Sequence, residues 1–95
     1  MGKIYVGQDF KITLTINDDI TDSLSTKIAY RKANGYEGEW TAAIVDNATG
    51  KISYDVLADD NTEQGILTCW ARITDSQGLY YPSEPVSFKI HKEGM

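Results

Sequence analysis

Apolar and polar residues alternate along most of the chain, a pattern typical of strands with one buried and one exposed face. The clearest segment starts at Phe10 and ends at Asn17, with an apolar residue at every second position. Further alternating segments, separated by turn-forming residues, lie at 27–32, 39–45, 51–57, 66–74 and 85–91. Because no segment shows a sustained helical spacing of apolar residues, the pattern predicts an all-β chain.

Residues 66–74 give the firmest register. The odd-numbered residues of this segment are uniformly apolar, and we expect them to face the core: Leu67, Cys69, Ala71 and Ile73. The even-numbered residues include Trp70 and Arg72. The same alternation therefore predicts that Trp70 lies on the solvent side of its strand.

Several short strands with turns at intervals of roughly 8–12 residues are typical of a β-sandwich or a small barrel. We interpret residues 1–95 as one domain, an immunoglobulin-like antiparallel β-sandwich of six to eight strands. In that arrangement the segments 27–32, 66–74 and 85–91 share one sheet. Residues 59–65 are compatible with one helical turn in a crossover.

Charge and composition exclude several classes of function. The formal net charge is −5, which argues against nucleic acid as a partner, because phosphate-binding proteins usually carry a basic surplus. No apolar run approaches the ~20 residues of a membrane-spanning helix, and the N-terminal apolar stretch is too short for a signal peptide. We therefore expect neither a nucleic acid nor a membrane as a partner.

The residues that usually perform catalysis are scarce. The single histidine, His91, and the single cysteine, Cys69, are predicted on opposite faces of their strands, so they do not form a nucleophilic pair. Two candidate ligands are too few for a zinc site, and no phosphate-binding or hydrolase motif occurs. The sequence therefore predicts a protein that is not an enzyme and that has no cofactor.

Carboxylates cluster in two predicted loops. Oxygen ligands of this kind bind calcium when the loops lie together, although their spacing does not match an EF-hand. The alternative, which we favour, is that they are solvated turn residues, so no metal ligand is assigned. The two clusters are Asp18, Asp19 and Asp22, and Asp59, Asp60 and Glu63.

The outward parity of the predicted sheet is the candidate binding surface. Tryptophan and arginine are enriched among the residues that dominate protein interfaces. The alternative is a tryptophan packed beneath the aliphatic stems of its basic neighbours, with no partner. The residues predicted on this surface are Lys27, Arg31, Trp70, Arg72 and Lys89.

Six segments carry a resemblance to a known family: 4–9, 27–32, 38–42, 49–56, 65–71 and 78–88. Taken in order, they resemble the small immunoglobulin-like structural domains of tailed bacteriophages, such as the N-terminal domain of the phage upper baseplate protein. The sequence departs from that family at Leu67 and Cys69, where many of its members have an aromatic residue.

The resemblance implies a non-enzymatic virion protein, made in the bacterial host cytoplasm and bound to other virion proteins in a symmetric, homo-oligomeric assembly. Its expected role is an adaptor or attachment module of the baseplate, tail or fibre. Because the baseplate members of the family continue into long coiled or fibre segments, a capsid decoration protein is the alternative. A carbohydrate-binding or adhesion module is an alternative of another class, with the candidate aromatics Trp40, Trp70, Tyr80 and Tyr81.

Overall fold

The alternating segments form β-strands in the computed structural model, which describes residues 3–78 and 80–92. All regular structure in these ranges is β-strand, so the all-β prediction is confirmed. In chain order the strands are β1 (Ile4–Tyr5), β2 (Phe10–Thr15), β3 (Ser23–Arg31), β4 (Glu37–Thr41), β5 (Ala43–Asp46), β6 (Lys51–Val56), β7 (Gly65–Asp75), β8 (Tyr80–Pro82) and β9 (Val86–His91).

The strands pair into two sheets. The six-stranded sheet has the order β1-β9-β7-β3-β4, with β8 also paired to β7, and the three-stranded sheet has the order β2-β6-β5. β1 runs parallel to β9, whereas the other described pairs are antiparallel. The predicted grouping of the segments 27–32, 66–74 and 85–91 in one sheet is confirmed, since these segments fall in β3, β7 and β9.

Both sheets contribute to one apolar core. Ile12 of β2 and Ile52 of β6 are completely buried, and they belong to the same core cluster as the inward residues of β7. Those β7 residues are between 0% and 7% exposed, which confirms the predicted register: Leu67, Cys69, Ala71 and Ile73. Since side chains alternate strictly along a strand, Trp70 and Arg72 point to the opposite side of the sheet.

An aromatic stack fills one part of the core. The ring of Trp40 lies 4.0 Å from that of Tyr30 and 4.9 Å from that of Tyr54, in near-parallel orientations. Gly38, directly opposite Tyr30 on the neighbouring strand, leaves room for this stack, because a Cβ there would lie 2.5 Å from the Tyr30 hydroxyl. The stack therefore fixes Trp40 in the interior, where it is 7% exposed.

The segment 39–45, predicted as one strand, is divided between the two sheets. β4 ends at Thr41 and pairs with β3, whereas β5 begins at Ala43 and pairs with β6. Ala42 anchors the crossing: its N–H donates to the Thr26 carbonyl and its own carbonyl accepts from Thr26 Oγ1, both at 2.9 Å. Alternate residues continue to face the core on both sides of the crossing. The alternating pattern therefore does not reveal that the chain passes from one sheet to the other at Ala42.

The predicted last strand, 85–91, is preceded by a short additional strand, β8. The pairing with β7 shifts by one residue between Pro82 and Val86, so one extra residue lies in this connection. Ser83 fixes the irregular segment to β7: its N–H donates to the Ala71 carbonyl at 3.1 Å, and its Oγ accepts from the Ala71 N–H at 2.7 Å. A serine side chain thus replaces a backbone group of the sheet at this point.

One turn with helical hydrogen bonds directly follows β6 and overlaps only the first residues of the stretch 59–65. The N–H groups of Asp60 and Asn61 both donate to the Leu57 carbonyl. Asn61 is 5% exposed, and its Nδ2 donates to the carbonyls of Tyr5 (2.7 Å) and Gln8 (2.8 Å). The asparagine therefore ties this connection to the turn that joins β1 to β2.

Candidate functional site

The solvent side of β3, β4 and β7 forms a continuous surface that we call the outer face. Residues opposite one another in paired strands share a side of the sheet, and Ala29 lies opposite both Trp70 of β7 and Glu39 of β4. The same register places the flanking residues. The outer face consists of Lys27, Ala29, Arg31, Glu37, Glu39, Thr41, Ile66, Thr68, Trp70 and Arg72.

Trp70 lies at the centre of the outer face and is half-buried. Its cross-strand neighbour Ala29 is only 2% exposed, although it points to solvent by parity, because larger side chains of this face cover it. The guanidinium carbon of Arg31 lies 5.8 Å from the centre of the Trp70 ring, a cation–π distance. The tryptophan is therefore held in place rather than free in solvent.

The predicted basic surface is instead of mixed charge. Arg31 Nε lies 3.0 Å from Glu37 Oε2, and Arg72 Nη1 lies 3.0 Å from Glu39 Oε2. Both glutamates belong to β4, so carboxylates lie directly beside the predicted basic residues on this sheet. Because each arginine is already paired with a carboxylate of the same chain, the outer face is close to neutral around Trp70.

Of the remaining two predicted residues, Lys27 belongs to the outer face and Lys89 extends it. Lys27 is half-buried and lies opposite Arg72, one row from Trp70. Lys89 of β9 lies opposite Ile66 of β7 at the margin. Ile66, which the sequence analysis did not assign to a site, is 48% exposed. All five predicted residues thus lie on one side of the six-stranded sheet, with an exposed aliphatic residue among them.

The two acidic loops lie at opposite ends of the three-stranded sheet. The loop of Asp18 and Asp19 is bound to the β5–β6 turn, whereas the loop of Asp59 and Asp60 adjoins the β1–β2 turn. Asp19 Oδ1 accepts hydrogen bonds from the N–H and Oγ1 of Thr21, which lower the pKa of this carboxyl. Within residues 3–78 and 80–92, no group of three potential ligands is placed to hold a metal ion.

Cys69 and His91 do not meet. The Cys69 side chain is completely buried, and burial raises the pKa of its thiol to about 12, which suppresses the reactive thiolate. His91 packs beside Tyr5, with the ring centres 5.9 Å apart. The described residues therefore contain no activated nucleophile at either position.

The aromatic residues do not form the platform that a sugar site requires. Trp40, a candidate ring of the carbohydrate-binding alternative, is buried in the core stack and is not available to a sugar. The side chains of Tyr80 and Tyr81 lie outside the described part of the structure. Of the four candidate rings, Trp70 alone is described at the surface.

Sequence reasoning missed Glu37, Glu39 and Ile66 as members of this surface. The alternation in 39–45 places Glu39 and Trp40 on opposite sides of the strand, so the burial of Trp40 implies that Glu39 faces solvent. The ion pairs were not predictable in the same way, because they depend on which strand lies beside β3.

Comparisons with protein-family models, curated proteins and solved structures found no match.

Proposed function

We propose that this chain is a non-enzymatic structural domain of a tailed-phage virion that binds other virion proteins through the outer face. The observation that carries the proposal is the half-buried Trp70, flanked by ion-paired arginines, with the exposed Ile66 further along the same side of β7. An aromatic residue that is already ordered loses little conformational entropy when a partner covers it. Such residues are therefore suited to dominate binding between proteins.

The strand order supports an immunoglobulin-like topology within this proposal. An immunoglobulin sandwich has one sheet of strands A, B, E and D and a second sheet of strands G, F and C, which variable domains extend with C′. With β2 as strand B, the three-stranded sheet matches B-E-D, and β9-β7-β3-β4 matches G-F-C-C′. The crossing at Ala42 corresponds to the passage from C′ to D.

The virion assignment rests on the sequence resemblance to phage structural domains. The adaptor or attachment role in a baseplate, tail or fibre is the preferred version, and capsid decoration is the alternative position on the particle. In either case the partners are other virion proteins in a symmetric assembly, which repeats one contact many times. The protein then acts by surface complementarity, without a cofactor or a catalytic step.

The test is retention of variant proteins on purified particles. Trp70→Ala is expected to weaken attachment about 30-fold, the equivalent of roughly 2 kcal/mol for a dominant interface residue. Because this change also uncovers Ala29, Ile66→Asp is the second variant, since it places a charge on the outer face without opening the core. Tyr36→Ala, at an aromatic residue that is 60% exposed outside the outer face, is the matched control.

Three outcomes contradict the proposal. Normal retention of both outer-face variants on the particle excludes the outer face as the attachment surface. Absence of the wild-type protein from purified particles, measured by mass spectrometry, excludes the virion role. Specific binding of the isolated domain to a glycan array, lost in Trp70→Ala, favours the carbohydrate-binding alternative. Separating heads from tails before the measurement decides between the two positions on the particle.

A further inference from the structure

β2 is a free edge of the three-stranded sheet. Its register with β6 extends to Ile16, whose N–H donates to the Gly50 carbonyl at 3.1 Å. In an antiparallel pair, alternate residues direct both backbone groups to the partner strand, so the even-numbered residues of β2 face β6. The N–H and C=O groups of Lys11, Thr13 and Thr15 therefore point away from the sheet, and no described strand pairs with them.

A groove of about 570 Å³ runs along this edge, between residues 13–17 and residues 82–86. Its lining is both polar and apolar, and the apolar part is incompletely covered. Val86 lies opposite the buried Cys69 and so points inward, yet it is 42% exposed. Because the inward side chain of Val86 remains exposed, the two sheets do not cover the core completely along this edge.

The wall of residues 82–86 cannot itself act as a strand partner. Pro82 and Pro85 have no N–H to donate. Both the N–H and the Oγ of Ser83 are bound to the backbone of Ala71. Hydrogen bonding for an incoming chain is therefore offered by β2, whereas the opposite wall offers side-chain packing.

An extended segment suits the groove, because one of its walls is an unpaired sheet edge among the described strands. Five residues of β2 and its extension line the groove, the length of an extended segment of about 16 Å. Glu84 is the one ionised side chain among the lining residues, which favours a neutral or basic occupant.

We propose that this groove binds an extended segment of a partner protein, which adds to β2 as a fourth strand of the three-stranded sheet. Backbone hydrogen bonds to Thr13 and Thr15 provide the register, and apolar residues at alternate positions of the segment cover Val86. A lysine or arginine near Glu84 is compatible with the charge of the groove. This site is separate from the outer face, and it does not depend on the virion assignment.

The test begins with a displayed library of random ten-residue peptides selected on the immobilised domain. We expect enriched sequences that alternate apolar and polar residues, and binding at least tenfold weaker to Thr13→Pro. Proline is tolerated on an edge strand where the N–H faces outward, so this variant should still fold. Thr41→Pro is the matched control, since Thr41 lies on the free edge of β4, where the N–H of the next residue, Ala42, faces β3.

Amide hydrogen exchange of the wild-type domain gives a second readout that needs no variant. Bound peptide should slow exchange at Thr13 and Thr15 at least tenfold, while Leu14, already paired with β6, should change little. Trp70→Ala should leave peptide binding unchanged, which separates this site from the outer face.

The proposal is overturned if no peptide is enriched, or if the selected peptides bind Thr13→Pro as well as they bind the wild type. It is also overturned if Thr41→Pro weakens binding equally, or if the exchange of Thr13 and Thr15 does not change. If sedimentation shows a dimer that Thr13→Pro abolishes, the occupant of the edge is a second copy of the chain and not a linear segment.

Discussion

The same substitution at two adjacent residues of β7 should lower the stability of the domain by very different amounts. Leu67 is 7% exposed and lies opposite Phe88 in the core, so Leu67→Asp removes a buried side chain and places a carboxylate among apolar neighbours. Losing the apolar side chain costs about 2–5 kcal/mol, and burying an unpaired charge adds several more. A domain of 95 residues has a total stability of about 5–14 kcal/mol, so this variant is expected to be largely unfolded.

Thr68→Asp should cost less than about 1 kcal/mol. Thr68 points to the outer face, where its hydroxyl lies 3.4 Å from that of Ser87, a weak contact whose loss matters little. The new carboxylate would lie opposite Arg31, which partly offsets that loss. Urea unfolding followed by tryptophan fluorescence measures both variants, and similar losses of stability in the two would refute the assigned register.

Two further predictions concern buried polar groups. Burial raises the pKa of the Cys69 thiol from its ordinary value of 9.0 to about 12 in the folded state. The contribution of the protonated thiol to the free energy of unfolding is therefore fully present below pH 9 and is lost as the pH rises from 9 to 12. The loss attributable to Cys69 is about 1.4 kcal/mol at pH 10, and it should be missing from Cys69→Ala in unfolding curves measured across this range. Asn61→Ala should lower stability by about 1–3 kcal/mol at neutral pH, because two carbonyls lose their donor. Asn61→Asp, whose side chain is nearly isosteric but cannot donate when ionised, should also be destabilised in thermal unfolding, and a wild-type melting temperature would contradict this role.

The strands and their inward faces were accessible from the sequence, because a half-buried sheet imposes a period of two on the residues that form it. Leu67 to Ile73 is the clearest case, since four small or aliphatic residues in one parity leave a single register that buries them. The assignment of β3, β7 and β9 to one sheet was also correct. That assignment came from a fold template, because alternation alone does not identify which strands are neighbours.

The division of residues 39–45 was missed for a related reason. A strand that crosses between facing sheets keeps the same residues inward, so its parity does not change at the crossing. The anchor is Thr26, which bonds both backbone groups of Ala42 from a different strand. Such a contact is long-range, and neither local pattern nor turn chemistry indicates it.

The charge of the outer face was the part of the site that the sequence predicted least well. The basic residues were correctly placed on one side, but Glu37 and Glu39 were not recognised as their neighbours. Pairing across strands depends on the register of β4 against β3, and a shift of two residues would exchange every partner while leaving the same residues exposed. Arg31 and Arg72 are consequently paired within the chain, and Arg31 also lies over the Trp70 ring, so neither is a free donor that awaits an acidic partner.

The two proposed binding sites share one structural support. β7 lies between β3 and β9, so its register is fixed from both sides. Trp70 projects from it towards the outer face, and the next residue, Ala71, holds the wall of the groove through both of its backbone groups. An extended segment bound on β2 would press against that wall, while a partner on the outer face would cover the adjacent tryptophan. A rigid central strand therefore allows two partners to be held at a fixed distance and orientation, which is the requirement for a module that joins other proteins.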